Sequence, residues 1–184
     1  MSEINFKKID WLSVMILSLL ILIGLINIYS STHTNLIDNI FSLKYPFGKQ
    51  CLFVFVSILL FFLVQTLPFK IFEKFSSIAY VLSILSLIGL FVFGKSISGT
   101  TAWYQIFGFG IQPSEFAKPI TALALAKYLS ELNVSIKTFK TQFYSFLIIL
   151  IPIILIVLQP DPGTTLIFLS FFLVFYKIGL PSIY

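Results

Sequence analysis

The 21 residues from Ile9 to Tyr29 carry a single charged side chain, Asp10, and otherwise run almost unbroken through Leu, Ile and Val. A helix of about 20 residues crosses a hydrocarbon layer of about 30 Å, and in lipid only helices or closed barrels satisfy every backbone polar group. The run therefore constrains the chain to membrane architecture. Further apolar runs of similar kind follow, giving six predicted spans at about 9–29, 51–67, 77–93, 113–132, 143–158 and 163–176. Lys7 and Lys8 precede the first run as they would in a signal peptide, but the run is too long for a signal core and no small-x-small cleavage site follows, so it reads as a retained helix. The expectation is an all-α, polytopic membrane helix bundle forming one integral domain over residues 1–184.

The punctuation between the runs sets orientation. Lys7, Lys8, Lys70, Lys74, Lys127, Lys137, Lys140 and Lys177 fall on the side of both termini, against Lys44, Lys49 and Lys95 on the other. The positive-inside rule makes the termini cytoplasmic. The net charge of +5 thus reads as topology and not as a nucleic-acid surface. All 12 basic residues are Lys, which excludes a site built on bidentate guanidinium contacts to phosphate. One cysteine, Cys51, excludes an internal disulfide, and one histidine, His33, excludes a multi-histidine metal centre.

Two stretches break the apolar pattern with chemistry. From Gly94 to Gln112 a Gly/Ser/Thr loop carries Trp103, and Gln112-Pro113-Ser114-Glu115 then opens the fourth span, with Lys118 a turn further on. Gln159-Pro160-Asp161-Pro162 opens the sixth in the same manner. Pro near the first helical position, Ser114 and Glu115 in the first turn, and Asp161 ahead of Pro162 all favour helix starts. Ala117, Thr121 and Ala124 share one face of the fourth helix, spaced for close helix approach. Pro152 predicts a kink in the fifth. Ionisable groups beside hydrocarbon cost several kcal/mol unless paired or wet. Asp161, Glu115 and Lys118 could therefore bind a divalent cation, hold a pyrophosphate at helix N-termini, or tune one another's protonation. The plainer readings are a lipid-entry ion pair for Glu115 and Lys118, a cap for Asp161, an interfacial aromatic for Trp103, and backbone satisfaction for Gln112 and Gln159. Thr164 and Thr165 could bond back to carbonyls of their own helix.

At these residues the sequence resembles the SEDS family (RodA/FtsW/SpoVE). The likeness rests on Asp10-Trp11, Ile28 to Ser31, Gly99 to Trp103, IQPSEFAK at 111–118, ALAKYL at 124–129 and QPDPGT at 159–164. Gln112 and Gln159 stand 47 residues apart, and Asp10-Trp11 makes the chain look more like RodA than FtsW. The resemblance implies a polytopic fold of about ten membrane helices, of which this chain carries the N-terminal six. It also implies a peptidoglycan glycosyltransferase that polymerises lipid II at the outer face of the bacterial cytoplasmic membrane. Such an enzyme releases undecaprenyl pyrophosphate and is supported by a divalent cation, Mg or Mn, with Asp161 and Glu115 as the ligands this chain would offer. Its partner would be a class B penicillin-binding protein, in cell-wall elongation, shape or division. The family's catalytic acid would lie beyond Tyr184, so this portion alone is expected to be inactive, and its residues are cavity or substrate-binding groups: Asp161, Glu115, Lys118, Trp103, Gln112, Ser114, Gln159 and Thr164. Two departures stand out: Ala102 where the family has Arg, and Pro162 where it has Leu. The alternatives are a flippase for the lipid-linked precursor and a non-catalytic scaffold of the envelope machinery.

Overall fold

A computed structural model describes residues 10–32, 40–97, 99–106, 108–131 and 138–173. The chain divides into two compact units, residues 1–68 and 69–184. In the first, α1 (Trp11–Thr32) and α2 (Pro46–Thr66) pack together. Asp10 caps α1: its Oδ1 accepts from the Leu12 and Ser13 amides at 3.1 and 3.2 Å, and its Oδ2 from the Ser13 hydroxyl at 2.6 Å. Pro46 occupies the first turn of α2, so the Tyr45–Gly48 signal, read from sequence as a loop turn, is the start of a helix. Phe47 meets Tyr29 and Phe41 edge-on, at 5.3 and 5.4 Å between ring centroids. The loop residues 33–39, with His33 and Asp38, lie outside the described residues.

The second unit runs α3 (Phe69–Phe93), β1 (Lys95–Ile97), β2 (Thr100–Ile106), β3 (Phe109–Ile111), α4 (Pro113–Glu131), α5 (Phe139–Val157) and α6 (Pro162–Leu169). Its helix α3 has 25 residues and absorbs the basic stretch Phe69–Ser76 that the sequence suggested as a connector. Pro68 forces Leu67 into extended backbone, ψ 131°, and so ends α2. Nothing then prevents Lys70, Glu73 and Lys74 from continuing as helix beyond the hydrocarbon. Similarly α5 starts at Phe139, four residues earlier than the apolar run, because Thr138 caps it through the Thr141 amide.

Among the described residues four helices, α1, α2, α3 and α5, are long and apolar enough to cross a membrane. Helix α4 carries Glu115, Lys118 and Lys127 and is not among them. It packs chiefly on α3 and then on α5, burying Ser114, Ala117, Thr121, Ala124 and Leu125. These small residues let backbones approach where dispersion, and not expulsion of water, holds helices together. The core forms two clusters, one of Leu87 and Leu90 of α3 with Ala117, Ile156 and Phe168, the other of Leu125 and Ile149. The described part of α6 ends short of the predicted 176, and residues 174–184 are outside the described set.

Two prolines show how the interior repairs its backbone. Pro152 lies inside α5 and has no N–H for the Ile148 carbonyl four residues earlier. Tyr80 of α3 supplies the missing donor, its hydroxyl 2.9 Å from that carbonyl. The kink-prone site is thereby fastened to the neighbouring helix instead of left open in lipid. Pro119 removes the donor for the Glu115 carbonyl in α4 in the same way.

Residues 94–112, read from sequence as a loop, form a three-stranded antiparallel sheet in the order β1-β2-β3. Trp103 faces Lys95 on one side, and Gln105 faces Gly110 on the other. The two turns use Gly99 at φ 86° and Gly108 at φ 81°, where a side chain would be strained. At the exit of α3, Gly94 donates to the Leu90 carbonyl at 2.8 Å. A Cβ there would run into that same carbonyl and stand 2.9 Å from the Thr101 oxygen. Glycine is thus what lets the sheet fold back directly onto the helix end.

Candidate functional site

The sheet lies where α3 ends and α4 begins, and it aims the first Gln-Pro motif. Tyr104 of β2 donates to the Ser86 carbonyl of α3 at 2.8 Å, through a gap left by Gly89, whose Cβ would sit 2.5 Å from the phenol oxygen. Trp103 is half-buried, its indole resting over β3, where a Cβ on Gly110 would come within 3.1 Å of the ring. Ala102 is 1% exposed, so the position where Arg was the family expectation is a tight packing position here. β3 then hands the chain to Gln112 and α4.

The second Gln-Pro motif turns from α5 into α6. Asp161 is the N-cap of α6, with Pro162 in the first turn, as the residue types demand. Its Oδ1 accepts from the Thr164 amide at 3.1 Å and its Oδ2 from the Thr164 hydroxyl at 2.7 Å. The same Oδ2 accepts from Gln112 Nε2 at 2.8 Å, across 49 residues of sequence. One side-chain hydrogen bond therefore joins the two Gln-Pro junctions. Gln159 is 1% exposed and reaches the other way, donating through Nε2 to the Leu87 carbonyl of α3 at 2.8 Å. Thr165, not Thr164, makes the back-bond, to the Asp161 carbonyl at 2.9 Å.

The first turn of α4 holds Glu115 and Lys118 as an i,i+3 ion pair at 2.8 Å. Their side chains are 55% and 20% exposed, so the pair contributes under about 1 kcal/mol to stability. Ser114, beside Glu115, is buried, and its hydroxyl has no hydrogen-bond partner. Asp161 and Glu115 have no hydrogen-bond partner in common: the first is held by Gln112 and Thr164, the second by Lys118.

This arrangement bears on a bound cation. Asp161 accepts one hydrogen bond at Oδ1 and two at Oδ2, which leaves one lone pair of the carboxylate open. Glu115 is neutralised by an amine. Among the described residues no group of three or more His, Cys, Asp or Glu gathers to hold a metal ion. Of the two carboxylates expected as its ligands, Asp161 is held at the α6 mouth and Glu115 is paired with Lys118.

Sequence reasoning missed Tyr104, Gly89, Gly110 and Tyr80. A signal existed for the sheet: Gly99 and Gly108 bracket TTAWYQI, rich in β-branched and aromatic residues. No signal in a single sequence pairs Tyr80 with the carbonyl four residues before Pro152.

Comparison with known proteins gives a consistent result. The family profile described as "Cell cycle protein" (FtsW/RodA/SpoVE) matches residues 10–183. A probable peptidoglycan glycosyltransferase FtsW of Wigglesworthia glossinidia brevipalpis is 36% identical over 137 residues, covering 72% of this chain and 35% of that protein. The peptidoglycan glycosyltransferase RodA of Treponema pallidum is 34% identical over 167 residues, covering 90% of this chain and 37% of its own length. The crystal structure of Thermus thermophilus RodA superposes with a TM-score of 0.80 at 28% identity, over 96% of this chain and 56% of that one. A chain of a solved peptidoglycan synthase complex also superposes with a TM-score of 0.80, over 95% and 49% respectively. The chain thus spans about half or less of the proteins it matches.

Proposed function

The chain belongs to the FtsW/RodA/SpoVE family, and from that premise we propose that it is the N-terminal part of a peptidoglycan glycosyltransferase, carrying one side of the cavity in which lipid II is polymerised. It is a multi-pass membrane protein. We place it in a bacterial cytoplasmic membrane with its termini inside, following the Lys distribution. That orientation turns the sheet, the α4 entrance and the α5–α6 junction outward, where a lipid-linked disaccharide is displayed.

The observation that carries the reading is the Gln112–Asp161 hydrogen bond. It brings the two polar motifs together, at the start of α4 and the start of α6. In that site Lys118 and the N-terminus of α4 meet a pyrophosphate, with Lys118 moving from Glu115 to the more highly charged group. Glu115 stores the amine between substrates. Asp161, fixed by Gln112 and Thr164, ties the mouth of α6 to the residue that precedes α4, and Trp103 offers an aromatic surface on the sheet that leads into α4. Stabilising the departing pyrophosphate is an electrostatic task suited to positioned donors. Activation of the acceptor hydroxyl needs a general base, and we assign that role to no residue of this chain. The whole protein would act with a class B penicillin-binding protein, whose transpeptidase consumes the glycan strand.

The test is polymerisation of lipid II by the native polypeptide that contains this chain, followed as glycan strand length. Strands should form, and Asp161→Ala should shorten or abolish them. Full-length strands at an undiminished rate from Asp161→Ala would remove the motif from the site.

A further inference from the structure

Two buried polar atoms, one in each Gln-Pro junction, lack partners. Ser114 is 1% exposed, and its Oγ makes no hydrogen bond. Gln159 is equally buried, and its Oε1 makes none either. The orientation of the Gln159 amide is fixed by chemistry: the Leu87 carbonyl at 2.8 Å can only accept, so the group facing it is the NH2 and the free atom is the oxygen. Ser114 is also the second residue of α4, and its amide N–H has no carbonyl four residues back within the helix.

The two residues flank the same few side chains. Two residues before Ser114, Gln112 bonds Asp161, two residues after Gln159. Three residues after Ser114, Ala117 packs in one cluster with Leu87 and Ile156. Gln159 touches both of those residues, its side chain bonding the Leu87 carbonyl and its amide the Ile156 carbonyl at 3.1 Å. The start of α4 and the α5–α6 junction are therefore joined by the Gln112–Asp161 bond and by the cluster of Leu87, Ala117 and Ile156.

An unpaired buried amide oxygen and hydroxyl are costly, and buried waters in proteins occupy such places, making about three hydrogen bonds each. We propose that one ordered water lies between α4 and the α5–α6 junction. It accepts from the Ser114 amide and donates to Gln159 Oε1 and Ser114 Oγ. Both residues are thereby assigned to an internal hydration site and not to contact with substrate. The water is the inner fastening of the two Gln-Pro junctions, and the Gln112–Asp161 bond is the outer one. The assignment does not depend on glycosyl transfer.

The test is an experimental structure of the native protein, at a resolution that shows waters, beside that of Ser114→Ala. The native density should hold a water within hydrogen-bond distance of Ser114 Oγ and Gln159 Oε1. Ser114→Ala should lose it while Gln159 keeps its bond to the Leu87 carbonyl, and the variant should unfold at lower temperature in detergent. Ser114→Thr, which retains a hydroxyl, should keep the water and recover most of the lost midpoint. The proposal fails if no water is present, if the water persists in Ser114→Ala, or if either orphaned atom meets a protein group directly.

Discussion

Replacing Tyr80 by Phe removes one oxygen and leaves the ring in place, so it isolates the bond to the Ile148 carbonyl. That carbonyl has no helical partner, because position 152 is proline. A buried acceptor left unpaired costs about 1–3 kcal/mol, whereas single hydrogen bonds between membrane helices average about 0.6 kcal/mol and reach about 1.7. The lower range describes bonds whose loss the helix can partly repair. Here the helix has no N–H to offer, so the cost should sit at the upper end of the membrane values, about 1–2 kcal/mol. The assay is unfolding in mixed detergent micelles with increasing dodecyl sulfate, followed by helical circular dichroism. The control is Pro152→Ala, which returns an N–H to the Ile148 carbonyl. In that background Tyr80→Phe should cost less than half as much. An equal cost in both backgrounds would show that Tyr80 acts by packing alone, and the account of the proline site would be wrong.

Gly94→Ala should destabilise the second unit by about 1–3 kcal/mol, the usual cost of overpacking, since the added methyl meets backbone oxygens of Leu90 and Thr101 that cannot swing aside; the same unfolding assay reads it. Gly110→Ala, 3.1 Å from the Trp103 ring, should shift the tryptophan fluorescence of a Trp11→Phe background with little loss of helix, and an unchanged spectrum would contradict the stacking. The Asp10 carboxyl is held below its ordinary 3.8, first by the Ser13 hydroxyl and then by backbone N–H groups. Its capping of α1 is therefore fully present above pH 3.8 and fades as pH falls through the lower folded value. Amide exchange at Leu12 and Ser13 should speed up in that acid window, and Asp10→Asn should abolish the pH dependence.

Much of the helical frame is legible in the sequence because its causes are local. The α4 and α6 starts follow from Pro113 and from Asp161-Pro162, and the face of Ala117, Thr121 and Ala124 follows from helical spacing. The misreadings also have physical reasons. Charge at Lys70, Glu73 and Lys74 ends an apolar run without ending a helix, so α3 begins eight residues before the hydrophobicity does. The sheet was hidden because its strands are short and its stability comes from docking on α3 through Tyr104 and from glycine clearances at 89, 94 and 110. At the site, the sequence places Asp161 and Glu115 at matching helix mouths. Which groups satisfy them is a tertiary fact: Gln112 and Thr164 take the first, Lys118 the second.

The central claim is that the two Gln-Pro junctions act as one unit through Gln112 and Asp161. A double-mutant cycle on lipid II polymerisation by the native polypeptide tests it, comparing Gln112→Ala, Asp161→Ala and the pair. If the bond is the functional link, the double variant loses no more rate than Asp161→Ala alone. If the two losses multiply, the junctions contribute separately, and the shared site does not exist.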